Sequence, residues 1–169
     1  MSEQVGERLS YKGEIITLNV DPLAQYLETR KDIVFGPMST ACWRGYTGTW
    51  EIKDNKLFLI HLKACIFTDP DTPKYERDLN YLFPDQEIVF ADWFTGQISI
   101  PMGEILKAPF KIPPIDETKK VIRLEVFVKR GDPGFIFEKD LILEFKDGVI
   151  VSEKVIDNRD EFQKKQLEN

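Results

Sequence analysis

The sequence predicts a mainly β fold: a β-rich α+β arrangement built as an antiparallel, hairpin-connected sandwich, open barrel or curved sheet with one or two short helices. Three observations lead there. The central stretch 39–62 holds two strand-like runs, 46–52 and 56–62, around Lys53-Asp54-Asn55, polar residues that tolerate the left-handed backbone of a tight turn. Near the C-terminus Leu141, Leu143 and Phe145 alternate with Ile142, Glu144 and Lys146, and Asp147-Gly148 then turns the chain into 149–156. Along the whole chain, about eight or nine such segments stand against one clear helical pattern.

Taken in order, residues 1–7 are expected as a flexible lead-in to a single domain over 1–169. Segments 9–11 and 15–20 flank Lys12-Gly13-Glu14 and form a first hairpin or a bent strand. Asp21-Pro22 opens a helix, because Asp is a good N-cap and Pro suits the first helical position, and Leu23, Tyr26 and Leu27 share a face. Residues 36–41 are a loop feeding the central hairpin. In its first strand Tyr46, Gly48 and Trp50 alternate with Thr47, Thr49 and Glu51, and in its second an almost continuous apolar run predicts a central strand buried on both faces.

Residues 68–73 follow as a loop, and 75–83 as a helical turn or two carrying Tyr75, Leu79 and Leu82 and ended by Pro84. Short strands are expected at 89–94, 97–100 and 102–106, and the proline-rich 108–114 is a crossing that lacks the donors of a central strand. In 121–129 the aliphatic set Ile122, Leu124, Val126 and Val128 faces the core, and 131–134 is a turn. The expected core is Trp50, Leu57, Leu59, Ile122, Leu124, Val126, Leu141 and Leu143. The charged segment 157–169 is a surface helix or frayed tail.

Composition narrows the function classes. A hydrophobic share of 42% with 12% aromatics excludes wholesale disorder. A net charge of −6 and a pI near 5.0 argue against nucleic acid as the main partner, which demands a basic face. No run of about 18 apolar residues is present, so no membrane partner is expected. The polar, acidic start carries no secretory h-region, and Cys42 and Cys65 are too few for a disulfide framework, so the cytoplasm is the expected location.

The chemistry-bearing residues are sparse. His61 is the only histidine, which removes multi-histidine metal sites, and its apolar neighbours predict a buried, hydrogen-bonded structural role. No metal or other cofactor is expected. A Cys42–His61 nucleophile pair is conceivable, with Arg44 nearby to favour a thiolate. Asp69 and Asp71 read as a solvated acidic loop, while Asp92, set in an apolar run, either faces the polar side or pairs with a cation such as Arg44. No Gly-rich phosphate loop, GxSxG elbow or HExxH occurs. Trp43, Tyr46, Trp50, Trp93 and Phe94 cluster in two segments, as a large aromatic core or as interface anchors.

Ser39-Thr40, Cys42-Trp43-Arg44-Gly45-Tyr46 and Gly48-Thr49-Trp50-Glu51-Ile52 resemble the signature of an uncharacterised family of small bacterial cytosolic proteins. Phe90-Ala91-Asp92-Trp93-Phe94-Thr95-Gly96, with Ile100-Pro101 and Gly103-Glu104, resembles that family's second block, and 141–158 its closing hairpin. Segment 112–137 is longer and more charged than the family's pattern. The resemblance implies membership and no catalytic residue. By analogy of type, it suggests an immunity protein of a toxin–antitoxin or contact-dependent system.

The resulting expectation is a non-enzymatic binding protein whose partner is another protein, a basic toxin domain. Its contact residues would be Asp69, Asp71, Tyr75, Tyr81, Asp85 and Glu87. The alternative is a small enzyme or ligand-binding domain with a pocket between 42–46 and 91–96. That pocket would use Cys42, Trp43, Arg44, Tyr46, His61, Asp92, Trp93 and Glu104.

Overall fold

The structure is a computed structural model that describes residues 6–66, 75–109 and 130–161. β1 (Glu7–Tyr11) and β2 (Glu14–Leu18) form the first hairpin. Lys12 and Gly13 at its corner both take positive φ, as the primed two-residue turns require. α1 (Leu23–Leu27) follows, and a long loop leads to β3 (Tyr46–Lys53). Asp54 and Asn55, at φ 52° and 62°, turn β3 into β4 (Lys56–Ile66). Next come β5 (Tyr75–Arg77), α2 (Leu79–Leu82), β6 (Val89–Phe90) and β7 (Gly96–Lys107). The final hairpin joins β8 (Ile136–Lys146) to β9 (Val149–Asp157) through Asp147-Gly148.

These strands make one sheet in the order β2-β1-β3-β4-β9-β8-β7, with β5 and β6 also paired to β4. It curls into a nearly closed barrel, so the β-rich open-barrel expectation with short helices holds. Arg130 stitches the two ends together. Its Nε contacts Glu14 Oε2 of β2 at 2.9 Å, its Nη1 donates to the Gly103 carbonyl of β7 at 2.7 Å, and its own carbonyl accepts from Thr17 N at 2.7 Å.

The core lies inside the curl. Trp50, Leu57, Leu59, Leu141 and Leu143 are buried as expected, joined by Leu9, Leu23, Leu62, Ile98 and Phe145. Ile122, Leu124 and Val126 lie outside the described residues. Against one flank of the core, Tyr26 of α1 packs on Phe83 and Trp93 at 4.8 and 4.9 Å, and Phe83 stacks on Trp93 at 5.7 Å. Among the described residues no helix is long and apolar enough to cross a membrane.

The structure corrects several local expectations. The sheet is mixed, because β1 runs parallel to β3, and the long connection through α1 provides the crossover that a parallel pair needs. Asp21 does not cap α1: Pro22 occupies that position without a side-chain hydrogen bond, since the Asp21 carboxylate is engaged elsewhere. Residues 75–77 are a strand, so the helix expected over 75–83 shrinks to α2, capped by Asp78. The strand expected over 89–94 stops at Phe90, and 96–107 is one strand that accommodates Pro101 at the end of the sheet order. The lead-in expected over 1–7 ends early, with Glu7 already in β1.

Candidate functional site

Alternation along β1 and β3 sends Leu9, Gly48 and Trp50 inward, and Glu7 goes with them. A carboxylate that is only 2% exposed must be satisfied by donors. Glu7 Oε2 accepts from the Gly48 backbone N–H and from Trp50 Nε1–H, both at 2.8 Å, while Oε1 accepts from Arg44 Nη2 at 2.6 Å. Gly48 is required by contact: a Cβ there would stand 2.4 Å from Glu7 Oε2 and 3.0 Å from Trp50 Nε1. Burial pushes the Glu7 carboxyl up to about 7; the bonds from Trp50 and Arg44 pull the other way, and the nearby Asp21 adds to the rise.

Asp21 extends the network. Its Oδ2 accepts from the Tyr46 hydroxyl and lies 3.9 Å from Arg44 Nε, and the Arg44 guanidinium sits over the Tyr46 ring at 5.3 Å. Burial, and then the bond to Asp21, raises the Tyr46 phenol above its ordinary value. Asp21 Oδ1 is buried with no hydrogen-bond partner among the described residues. Two carboxylates, one guanidinium, one phenol and one indole thus tie β1, β3 and the chain before α1 together. Glu7 at its centre is buried and the Arg44 and Asp21 side chains are only 24% and 29% exposed, so the arrangement acts as a largely buried clasp. Sequence reading missed Glu7, whose partners are 37–43 positions away.

The eight residues of the expected pocket do not gather in one site. Arg44 and Tyr46 belong to the clasp. Trp93 is packed in the aromatic cluster and donates Nε1–H to the Pro22 carbonyl at 2.9 Å. Asp92 and Trp43 are exposed, the latter by 67%; of the two settings expected for Asp92 it takes the polar face, and Arg44, the cation named for the other, pairs with Glu7. Glu104 lies near the other end of β7, where its backbone N–H meets Glu138 Oε2 at 3.3 Å.

Cys42 and His61 do share a pocket, an open cavity of about 680 Å³ on the outer face of β1, β3 and β4. The Cys42 thiol donates to the Tyr46 carbonyl at 3.4 Å. His61 is exposed, which overturns the expectation of a buried structural histidine.

Of the expected partner-binding residues, Asp69 and Asp71 lie outside the described residues and Tyr75 is placed by its backbone in β5. Tyr81, Asp85 and Glu87 come together on the exposed knuckle 78–88. There Asn80 N donates to Asp78 Oδ1 at 3.1 Å, and Asp85 N, at a residue with φ 65°, donates to Asn80 Oδ1 at 2.9 Å. Leu79, Leu82, Phe83 and Val89 are buried beneath. Tyr81 is 42% exposed under the Arg77 guanidinium, and Ile88 is 57% exposed. No group of three or more His, Cys, Asp or Glu that could hold a metal ion occurs among the described residues.

No protein-family model, curated protein or solved structure matches this chain.

Proposed function

We propose that the chain is a non-enzymatic binding protein of the bacterial cytoplasm that docks a basic protein through the 78–88 knuckle, in the manner of an immunity protein covering a toxin. The observation that carries this is the pairing of exposed Tyr81 and Ile88 with Asp78, Asp85 and Glu87 on a backbone already held by its own hydrogen bonds. An exposed aromatic on a pre-ordered turn loses little conformational freedom on binding, which is what an anchor residue needs. The surrounding carboxylates, on a chain of net charge −6, complement the basic active face of a nuclease-like toxin and accelerate encounter. The alternative catalytic reading is weakened by the dispersal of its residues: Cys42 and His61 share the outer cavity, but the other six go to the clasp, the aromatic cluster and separate surfaces.

The test compares the wild-type chain with Tyr81→Ala and with the quadruple exchange Asp69→Asn, Asp71→Asn, Asp85→Asn, Glu87→Gln. A partner captured from a bacterial lysate by wild type and lost by Tyr81→Ala is purified, and its association rate is measured across salt. The wild-type rate should fall about tenfold or more as salt rises, and the quadruple variant should be slower with a flatter slope. A partner whose on-rate is indifferent both to salt and to the four exchanges refutes the mechanism.

A further inference from the structure

On the face of the barrel wall that carries the 680 Å³ cavity, strand register assembles a second set of side chains independent of the knuckle. Arg8 of β1 is opposite Thr49 of β3, and Thr49 is opposite His61 of β4. One step along, Thr47 is opposite Lys63. Since Leu9, Gly48, Trp50 and Leu62 fill the inner face, these residues all point outward. Cross-strand neighbours stand about 5 Å apart, so the row sets Thr49 between Arg8 and His61, and Thr47 beside Lys63. Ser39 adds a third hydroxyl from the loop, which is fastened to β4 by the Gly36 N–Cys65 O and Cys65 N–Gly45 O hydrogen bonds, both 2.8 Å.

The composition of this lining is unusual for the chain. The protein holds 29 Asp and Glu against 23 Lys and Arg, yet among the described residues no carboxylate lines the cavity. Glu51, two residues beyond Thr49 on β3, opposes Ser10 and Phe58 and stays outside it. The described lining offers hydroxyl and cationic donors and no aromatic ring on which a base could stack. Its volume suits a small molecule rather than a single ion.

We propose that this cavity binds the oxyanion of a small non-aromatic molecule, with Arg8, His61 and Lys63 around the anion and Thr47, Thr49 and Ser39 donating to its oxygens. Inorganic phosphate, phosphate monoesters and carboxylic acids in their ionised form share that chemistry.

The probes are inorganic phosphate and citrate, each titrated into the full chain at constant ionic strength held by sodium chloride, with amide chemical shifts as the readout. Saturable shifts confined to 47–49 and 61–63 are expected for at least one of them, and whichever saturates at the lower concentration names the oxyanion. Arg8→Ala and His61→Ala should each weaken that binding about tenfold, the loss of one charge-assisted hydrogen bond. Asp85→Asn and Glu87→Gln should leave it unchanged, which separates this site from the knuckle. Both outer residues are exposed, and should either variant fail to fold, Thr49→Val and the remaining one decide. Shifts that never saturate, that match those of chloride, or that survive both substitutions overturn the assignment.

Discussion

Replacing Glu7 by glutamine isolates what the buried charge does to stability. In the native chain burial lifts this carboxyl from 4.5 to about 7, so between those values the folded state holds a proton that the unfolded state has released. The folded form is therefore favoured by this group below about 4.5, and that advantage is lost as pH rises through about 7. At about 1.4 kcal/mol per pH unit, the span from 4.5 to about 7 amounts to roughly 3 kcal/mol. Glutamine cannot titrate, and its carbonyl can still accept from Gly48 and Trp50, although its amide faces the Arg44 donor. The assay is urea unfolding of wild type and Glu7→Gln from pH 4.5 to 8. Wild-type stability measured relative to the variant should decline by roughly 3 kcal/mol across that window. A flat difference, or one that grows in favour of wild type with rising pH, would mean that the donors from Gly48, Trp50 and Arg44 outweigh burial. The carboxyl would then be ionised throughout, and the desolvation argument would be wrong.

Other outcomes are expected from the same geometry. Glu7→Leu leaves the Gly48 and Trp50 donors and the Arg44 guanidinium without their shared acceptor and should cost about 3–5 kcal/mol by urea unfolding. Gly131→Ala should cost several kcal/mol, because the residue sits at φ +90° and a Cβ would lie 1.9 Å from the Thr17 carbonyl oxygen. Phe83→Ala removes a ring stacked on Trp93 and packed on Tyr26, with an expected loss of about 3 kcal/mol and a changed near-ultraviolet tryptophan signal. Arg159→Ala should let the Asp157 carboxyl, held at about 2 by hydrogen bonds from Arg159, return toward 3.8 in an NMR titration, without a measurable change in melting temperature.

The hairpins were legible because turn chemistry is local: Asp54-Asn55 and Asp147-Gly148 carry the conformational preference within two residues. The exposure of His61 has a physical reason. The run Leu57 to Leu62 looks continuously apolar, but the pairing of β3 with β4 shifts between Thr49 and Trp50, which leaves Ile60 as an extra residue in β4. Inward positions change parity there, from Leu57 and Leu59 to Leu62 and Ala64, so His61 and Lys63 turn outward. The sequence did hold a trace of this in the spacing of its small and aliphatic residues after Ile60. Asp21 matches a helix cap in sequence because the cap pattern is local, whereas its tie to Tyr46 spans 25 residues. Glu7 had no local signature at all, being one polar residue in a polar segment. The knuckle was half legible: its acidic and aromatic residues could be named, but the fold alone shows that Tyr81 and Ile88 stay outside while Leu79 and Leu82 go in.

The clasp and the outer cavity are two faces of one register. Glu7 and Arg8 are consecutive, so fixing Glu7 inward against Gly48 and Trp50 fixes Arg8 outward, opposite Thr49. A slip of β1 by one residue would exchange them, placing an arginine beneath Trp50 and removing a cation from the row that His61 and Lys63 complete. A short parallel strand in a polar segment has little hydrophobic patterning of its own to prevent that slip. A buried carboxylate that finds three donors in only one register opposes it strongly, even though desolvation makes the group a poor source of net stability. The unfavourable burial of Glu7 therefore has a structural return in specificity. That account separates Glu7→Gln from Glu7→Leu at the outer face. Glutamine keeps the contacts to Gly48 and Trp50, so the amide shifts of Arg8, Thr49 and His61 should stay close to wild type. Leucine removes the acceptor, so those shifts should broaden or move even under conditions where the chain remains folded. Unchanged shifts in a folded Glu7→Leu chain would show that β1 is held in register by Leu9 and the β1–β2 hairpin alone.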